Sequence, residues 1–141
     1  MKLSQILMDK VSKGKVVCVG HSLGGGLVLA SSKACGCMSI ALNPDNVADK
    51  TASKFIRESG IGTGVHNIDN LAIVFTVKEE LLARVNGFLS SGNEGGQRHT
   101  IDDKASKQEL LGFKKHGIGY VRSVLSDYLV NIRQQRSTNS K

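Results

Sequence analysis

The segment VVCVGHSLGGGLVLASS (Val16–Ser32) decides the fold of this chain. Its first four residues are apolar and lead directly into Gly20-His21-Ser22-Leu23-Gly24, after which the apolar character resumes. An apolar run without alternating polar residues is typical of a parallel strand buried on both faces, and the glycines indicate a sharp turn. The segment therefore predicts a strand, a tight turn and a glycine-rich helix over Leu23–Ala34.

Strand and helix patterns alternate along the rest of the chain. Apolar runs predict strands at Lys15–Val19, Met38–Leu42 and Leu71–Val77, with a weak edge strand at Gln97–Ile101. Apolar residues at helical spacing predict helices over 3–12, Val47–Ser59, Glu79–Leu89 and from Ile118 to Ile132. Such alternation favours parallel pairing through right-handed crossovers. We expect one α/β layer structure with three to four mostly parallel strands and flanking helices.

Composition argues against several classes of function. The 141 residues carry a net charge of +7, but the lysines are scattered and only four Phe and two Tyr are available to stack on bases. We therefore expect no nucleic-acid partner. Three cysteines form no even framework, and Cys35-Gly36-Cys37 is too closely spaced for an ordinary zinc pair. The expectation is reduced structural thiols, with no metal and no cofactor.

No targeting or membrane-spanning segment is recognisable in the sequence. Met1–Val11 mixes charged and apolar residues and lacks the apolar centre of a signal peptide. No apolar run approaches the roughly 20 residues that span a bilayer. We expect a protein that is cytoplasmic as synthesised, with export as an effector without a signal peptide as the alternative. Peripheral contact with a membrane stays compatible with the sequence.

Ser22 occupies the centre of a Gly-x-Ser-x-Gly pattern between the predicted strand and helix. A nucleophilic serine needs such a strained turn, because the turn lifts its hydroxyl clear of the sheet and small neighbours let the backbone pass closely. A dinucleotide site uses a similar turn but places glycine where Ser22 stands. A P-loop needs Lys-Ser or Lys-Thr after its glycines, which this segment lacks. A plain tight turn is the remaining alternative.

The segment VVCVGHSLGG resembles the nucleophile elbow of lipase-type α/β-hydrolases, especially the class 3 lipase-like group and related bacterial phospholipase proteins. Further along, SIALNPDNV resembles the strand and loop that follow the nucleophile helix, and LAIVFTVKEELLARVN resembles the strand that leads to the catalytic acid. HGIGYVRSVL resembles the final histidine loop and helix. The resemblance implies a partial α/β-hydrolase domain over residues 1–133, followed by a disordered tail at 134–141.

The resemblance assigns catalytic roles residue by residue. It implies that Ser22 is the nucleophile, His116 the general base and the Leu23 N–H one oxyanion donor. The family usually places aspartate after the third strand, where this chain has only Glu79 and Glu80, and alignment of Leu81 favours Glu80. Glutamate suits the role, which is to hold the imidazole tautomer and stabilise the imidazolium. Other candidates are Asp45 as the alternative acid, Asp102 and Asp103 as further acids, and His21, His66 and His99 as histidines expected to be structural.

The chain departs from the family before the elbow. A lipase-type hydrolase has several strands there, and a loop among them supplies the second oxyanion N–H, whereas only 15 residues precede Val16 here. The expectation is therefore the carboxy-terminal half of an esterase or lipase acting on an ester, with lipid esters favoured. Such a half would self-associate or bind a chain that supplies the missing strands. The alternatives are a catalytically silent interaction module and a dinucleotide- or phosphate-binding α/β protein.

Overall fold

The structure is a computed structural model that describes residues 2–11, 15–45, 53–54, 56–58, 66–78, 95–102 and 117–138. Its elements are α1 (Lys2–Lys10), β1 (Val17–His21), α2 (Leu23–Cys35), β2 (Met38–Leu42), β3 (Ala72–Val77), β4 (Gln97–Ile101) and α3 (Ile118–Thr138). In the helix predicted over Val47–Ser59, the described residues 53–54 and 56–58 are helical. The helix predicted over Glu79–Leu89 lies outside the described residues.

The four described strands form one parallel sheet in the order β1-β2-β3-β4. In the register, Val19 pairs with Ile40, Ile40 with Ile73, and Ile73 with Gln97. The expected α/β class with a parallel sheet and flanking helices is therefore confirmed. Because the strands are parallel, their carboxyl ends meet at one edge of the sheet, where α/β proteins bind ligands.

Helix α2 covers one face of the sheet. It contacts both β1 and β2, and the core cluster on this face consists of Leu29, Ala41, Ile68, Ala72 and Val74, none more than 4% exposed. Alternation of side chains along a strand sends Ala41 and Val74, which are register partners, to the same side. The small residues Ala41 and Ala72 let the glycine-rich α2 lie close to the sheet.

Helix α3 packs on the other side of the sheet from α2, against β3 and β4. The ring of Tyr128 meets Phe75 of β3 edge-on at a centroid distance of 6.3 Å, and Phe75 stacks on His99 of β4 at 5.3 Å. Val121 is only 1% exposed. This helix therefore stabilises β3 and β4, which lie farthest from the glycine turn.

Strand β1 differs from its prediction. We expected a strand buried on both faces, but Val17 is 48% exposed and Val19 is 61% exposed. The reason is that α2 covers the face carrying Cys18, while α3 contacts β4 at the other side of the sheet. Among the described strands, β1 pairs with β2 alone. The apolar residues Leu3, Ile6, Leu7 and Val11 of the α1 segment are exposed as well.

The carboxy-terminal helix corrects the expected tail. Residues 134–138 were predicted to be disordered, but α3 continues to Thr138. The Ser137 hydroxyl donates to the Gln134 carbonyl at 2.7 Å, and the Thr138 hydroxyl donates to the Gln135 carbonyl at 2.9 Å. These bonds satisfy carbonyls that a helix end otherwise leaves without an intrahelical donor. Among the described helices, none combines the length and apolarity needed to cross a bilayer.

The three cysteines are free thiols on the side of the sheet that α2 covers. The Cys18 and Cys37 sulfurs lie 3.8 Å apart, and the Ser4 hydroxyl lies 3.7 Å from the Cys18 sulfur. Burial raises the pKa of Cys37 to about 11. Cys37 is therefore a neutral thiol at ordinary pH, which suits a packing role better than nucleophilic chemistry.

Candidate active site

Ser22 lies between the last residue of β1 and the first residue of α2, as the sequence predicts. Its backbone has φ 55° and ψ −125°, on the side of φ that side chains other than glycine rarely adopt. Holding a residue there costs on the order of 1–3 kcal/mol, and such strain concentrates at functional sites. A serine in a strained strand-to-helix turn is the defining geometry of a nucleophile elbow.

Three backbone hydrogen bonds hold the elbow in this conformation. The Ser22 N–H donates to the Leu42 carbonyl at 3.1 Å, and the Ser22 carbonyl accepts from the N–H groups of Asp45 at 2.9 Å and Gly26 at 3.1 Å. The bonds to Leu42 and Asp45 link Ser22 to β2 and the turn after it, and the bond from Gly26 is the first of helix α2. The strained residue is thus fixed from both sides by the sheet and the helix.

Close backbone packing explains two of the glycines around Ser22. A Cβ on Gly20 would lie 2.2 Å from the Gly24 carbonyl oxygen, and one on Gly25 would lie 2.9 Å from the Pro44 Cα. Real side chains do not tolerate such distances, so both positions need glycine. A Cβ on Gly24 would meet nothing within 4 Å. After the serine, steric crowding therefore requires glycine at position 25 and not at Gly24, the second glycine of the Gly-x-Ser-x-Gly pattern.

The amino terminus of α2 presents backbone donors beside Ser22. The first intrahelical bond runs from Gly26 N–H to Ser22 O, so the amides of Leu23, Gly24 and Gly25 precede it. The Ser22 side chain makes no capping hydrogen bond to the helix. Unpaired amides at a helix amino terminus favour negative charge. This position suits the role that the resemblance implies for the Leu23 N–H, which is to stabilise an oxyanion.

Asp45, the alternative acid, lies in the turn after β2 and next to the elbow. Its N–H donates to the Ser22 carbonyl, and its side chain is half-buried. The structure therefore places the backbone of a carboxylate-bearing residue in direct contact with that of the candidate nucleophile.

Glu80 and His116, the preferred acid and base, lie outside the described residues, as do Glu79 and Asp103. Their positions in the chain still relate them to the sheet. Glu80 is three residues beyond Val77, where β3 ends, and His116 is two residues before α3 begins. Strand β3 ends at the same sheet edge as the strand that leads to Ser22. The triad assignment stays a prediction.

The described histidines and Asp102 make the following contacts. His66 is exposed, its N–H donates to the Lys33 carbonyl, and its ring packs on Gly36. His99 stacks on Phe75. Asp102 forms an exposed ion pair with Lys78 at 3.3 Å. His21 ends β1 and is half-buried. The structural roles expected for the histidines stay predictions.

Sequence reasoning named Asp45 as the alternative acid but missed Asn43, two residues earlier. Asn43 is 1% exposed, has φ 38°, and accepts a hydrogen bond through its side-chain oxygen from the Val77 N–H at 2.8 Å. The signal was present, because asparagine tolerates the left-handed region and its amide forms local hydrogen bonds. What the pattern could not show was which backbone group the amide reaches.

The geometry argues against the dinucleotide alternative. Ser22 stands where a dinucleotide site places a glycine so that the pyrophosphate can approach. Such sites also lie where strand order reverses, whereas β4 pairs with β3 and the described strands follow chain order throughout. Within the described ranges, no three His, Cys, Asp or Glu residues are grouped so as to hold a metal ion.

No family model matches this chain, and a search of curated proteins finds no match. The geometry of the elbow and its surroundings is therefore the main indication of function.

A pair of substitutions at Ser22 tests the strained backbone. We expect Ser22→Gly to be more stable than Ser22→Ala by about 1–2 kcal/mol, because only glycine adopts a positive φ without strain. In ordinary helix or strand interiors the order is reversed, with glycine about 0.5–1 kcal/mol less stable than alanine. Urea unfolding of both variants measures the difference. A Ser22→Ala variant as stable as Ser22→Gly, or more so, would contradict the elbow geometry.

A second pair tests the close packing before and after the serine. Gly20→Ala drives a Cβ into backbone atoms, so we expect it to lower the free energy of unfolding by at least about 2 kcal/mol. Gly24→Ala is the matched control, since open space surrounds its Cβ. Alanine's better helix propensity should leave Gly24→Ala unchanged or up to about 1 kcal/mol more stable. Equal thermal and urea unfolding of the two variants would refute the assignment.

Proposed function

We propose that this chain is a serine hydrolase of carboxylic esters, with lipid esters as the favoured substrates and Ser22 as its nucleophile. One observation carries the proposal: Ser22 is a strained, positive-φ residue between a parallel strand and a helix. The hydrogen bonds and glycine contacts that maintain this strain support it, because a plain turn at this position would not need serine in a sparsely populated conformation. The resemblance to lipase-type α/β-hydrolases points to the same chemistry.

The proposed mechanism proceeds through an acyl-enzyme. His116 takes the proton from the Ser22 hydroxyl as its oxygen attacks the ester carbonyl, and Glu80 holds the imidazole and stabilises its charged form. The Leu23 N–H hydrogen-bonds to the oxyanion. The alcohol leaves with the proton from His116, and water then hydrolyses the acyl-enzyme with His116 again as base. Asp45 is the alternative to Glu80.

The surface around the elbow supports an apolar substrate. Leu23 is 60% exposed and Leu27 is 45% exposed, one helical turn apart on α2. Residues four apart lie on the same face of a helix. An apolar strip therefore begins directly beside Ser22, where an acyl chain or a lipid surface would contact it. Peripheral membrane contact belongs to this proposal.

The exposed side of β1 favours a second role, that of an interaction module. Val17 and Val19 are exposed on a strand that pairs, within the described sheet, with β2 alone. A strand edge bordered by exposed apolar residues is a template for pairing with another chain. We propose that the chain associates with itself or with a chain that supplies further strands. Such strands would also bring the second oxyanion donor.

The hydrolase proposal predicts covalent labelling of Ser22 by a fluorophosphonate probe. Wild-type protein should label at Ser22, and Ser22→Ala and His116→Ala should abolish or nearly abolish labelling, because only an activated serine reacts. Intact-protein and peptide mass spectrometry measure the modification and its site. Labelling at another residue, or none at Ser22 in folded protein, would exclude the proposed nucleophile.

Two carboxamide variants distinguish the acids. Glu80→Gln should slow labelling without abolishing it, because the acid orients the base and does not itself react. Asp45→Asn is the matched control and should label at the wild-type rate. The reverse order of effects would transfer the acid role to Asp45.

The association proposal predicts that the 15.1 kDa chain is not a stable, active monomer. Sedimentation should show a heavier species, and Val19→Lys should shift the distribution towards monomer, because a charge on the exposed strand face opposes pairing. Val130→Lys is the control, since Val130 is also an exposed valine but belongs to α3. A compact monomer with robust esterase turnover would refute the proposal.

If the proposed association supplies the second oxyanion donor, ester hydrolysis by the unassociated chain should be weak. Loss of one oxyanion donor costs about 10²–10³ in rate in a known serine hydrolase. Low turnover together with Ser22 labelling is therefore the expected combination.

A further inference from the structure

Asn43 lies where β2 ends and a turn begins. It is the first residue after the strand, 1% exposed, with φ 38°. Its backbone N–H donates to the Phe75 carbonyl and its side-chain oxygen accepts from the Val77 N–H, both at 2.8 Å. One buried side chain thus continues the hydrogen bonding between β2 and β3 after β2 has ended.

The register explains why a side chain is needed there. In this ladder Ser39 N–H donates to Leu71 O, and four residues later Asn43 N–H donates to Phe75 O. A continued parallel strand would next offer the carbonyl of residue 43 to the Val77 N–H. The left-handed backbone of Asn43 ends the strand there, and the Asn43 side-chain oxygen takes the place of that carbonyl.

The other side of the same turn shows an equivalent replacement. Ser22 N–H donates to Leu42 O, so a continued ladder would bring the N–H of residue 44 to the Ser22 carbonyl. Residue 44 is proline, which has no N–H. The Asp45 N–H donates to the Ser22 carbonyl instead, and Pro44 packs against Gly25. Residues 43–45, here called the β2 turn, therefore bond to both neighbouring strand ends.

We infer that Asn43 is a positioning residue that fixes the end of β3, and with it the start of the acid-bearing segment, relative to the Ser22 elbow. This inference rests on the proposed hydrolase function, because Glu80 follows Val77 by three residues. Without the Asn43 acceptor, the Val77 N–H would be buried and unsatisfied, which a protein avoids by moving the backbone. Such movement would shift the end of β3, from which the chain runs on to Glu80, whereas Ser22 stays bonded to Leu42 and Gly26.

The test measures fluorophosphonate labelling of Ser22 against pH in the full chain. Asn43→Gly keeps the left-handed backbone accessible but removes the acceptor, so we expect labelling about 10- to 100-fold slower, the scale of a misplacement of about 1 Å. The midpoint of the pH profile should move to lower pH, because a displaced carboxylate stabilises the imidazolium less. Asn43→Asp retains the acceptor oxygen and should restore most of the rate.

Ser32→Ala is the matched control for lost stability. Ser32 is 0% exposed and its hydroxyl donates to the Cys37 carbonyl at 2.7 Å, at the far end of α2 from the elbow. This variant should lose stability but keep the wild-type labelling rate and pH midpoint when both are corrected to the folded fraction. Hydrogen exchange at the Val77 amide should accelerate in Asn43→Gly and not in Ser32→Ala.

The outcomes separate the two proposals. Wild-type labelling with an unchanged rate and midpoint in Asn43→Gly would overturn the positioning role and leave the hydrolase proposal standing. Folded wild-type protein that does not label at Ser22 would overturn the hydrolase proposal, and the positioning role with it. Slow labelling, a lowered midpoint and rescue by aspartate together would support the inference.

Discussion

The positive φ of Ser22 is the constraint on which the rest of the structure depends. A residue with a side chain remains there only if its surroundings oppose relaxation, and here they do so through backbone atoms. Strand β2 and its turn bond to the N–H and the carbonyl of Ser22, and the first bond of α2 also ends on that carbonyl. The close packing at Gly20 and Gly25 follows from the same sharp reversal of the chain.

The β2 turn connects this constraint to the rest of the sheet edge. Asn43 and Asp45 replace the ladder bonds that a continued strand would have made, one towards β3 and one towards β1. The carboxyl ends of β1, β2 and β3 are consequently held together although β2 itself ends at Leu42. The carboxyl edge beside this turn is where a substrate would approach the proposed nucleophile.

The uneven cover of the sheet relates the fold to association. Helix α2 buries one face of the sheet, and α3 contacts β4. Strand β1, which leads to the elbow, also carries the most exposed valine of the sheet, Val19. The strand that positions the candidate nucleophile is thus also the strand with an apolar surface left uncovered. Catalysis and partner binding, as proposed, would involve the carboxyl end of β1 and its exposed face, respectively.

The sequence by itself determined the alternation of strands and helices, the bounds of β2 and β4, and the position of Ser22 at a strand-to-helix turn. These features are local: apolar periodicity and glycine placement act over a few residues. The resemblance of the sequence to lipase-type hydrolases also suggested the candidate triad of Ser22, Glu80 and His116. For Glu80 and His116 this assignment stays a prediction.

Only the tertiary structure decided which faces are covered and which backbone groups meet. The apolar run at Val16–Val19 predicted burial on both faces, yet Val19 is exposed, because burial depends on which neighbours pack against a strand and not on its own residues. The need for glycine at 25 rather than 24 arises from Pro44, which lies 19 residues farther along the chain. The role of Asn43 depends on Val77, 34 residues away. Contacts between distant residues follow from strand register, which a local pattern does not encode.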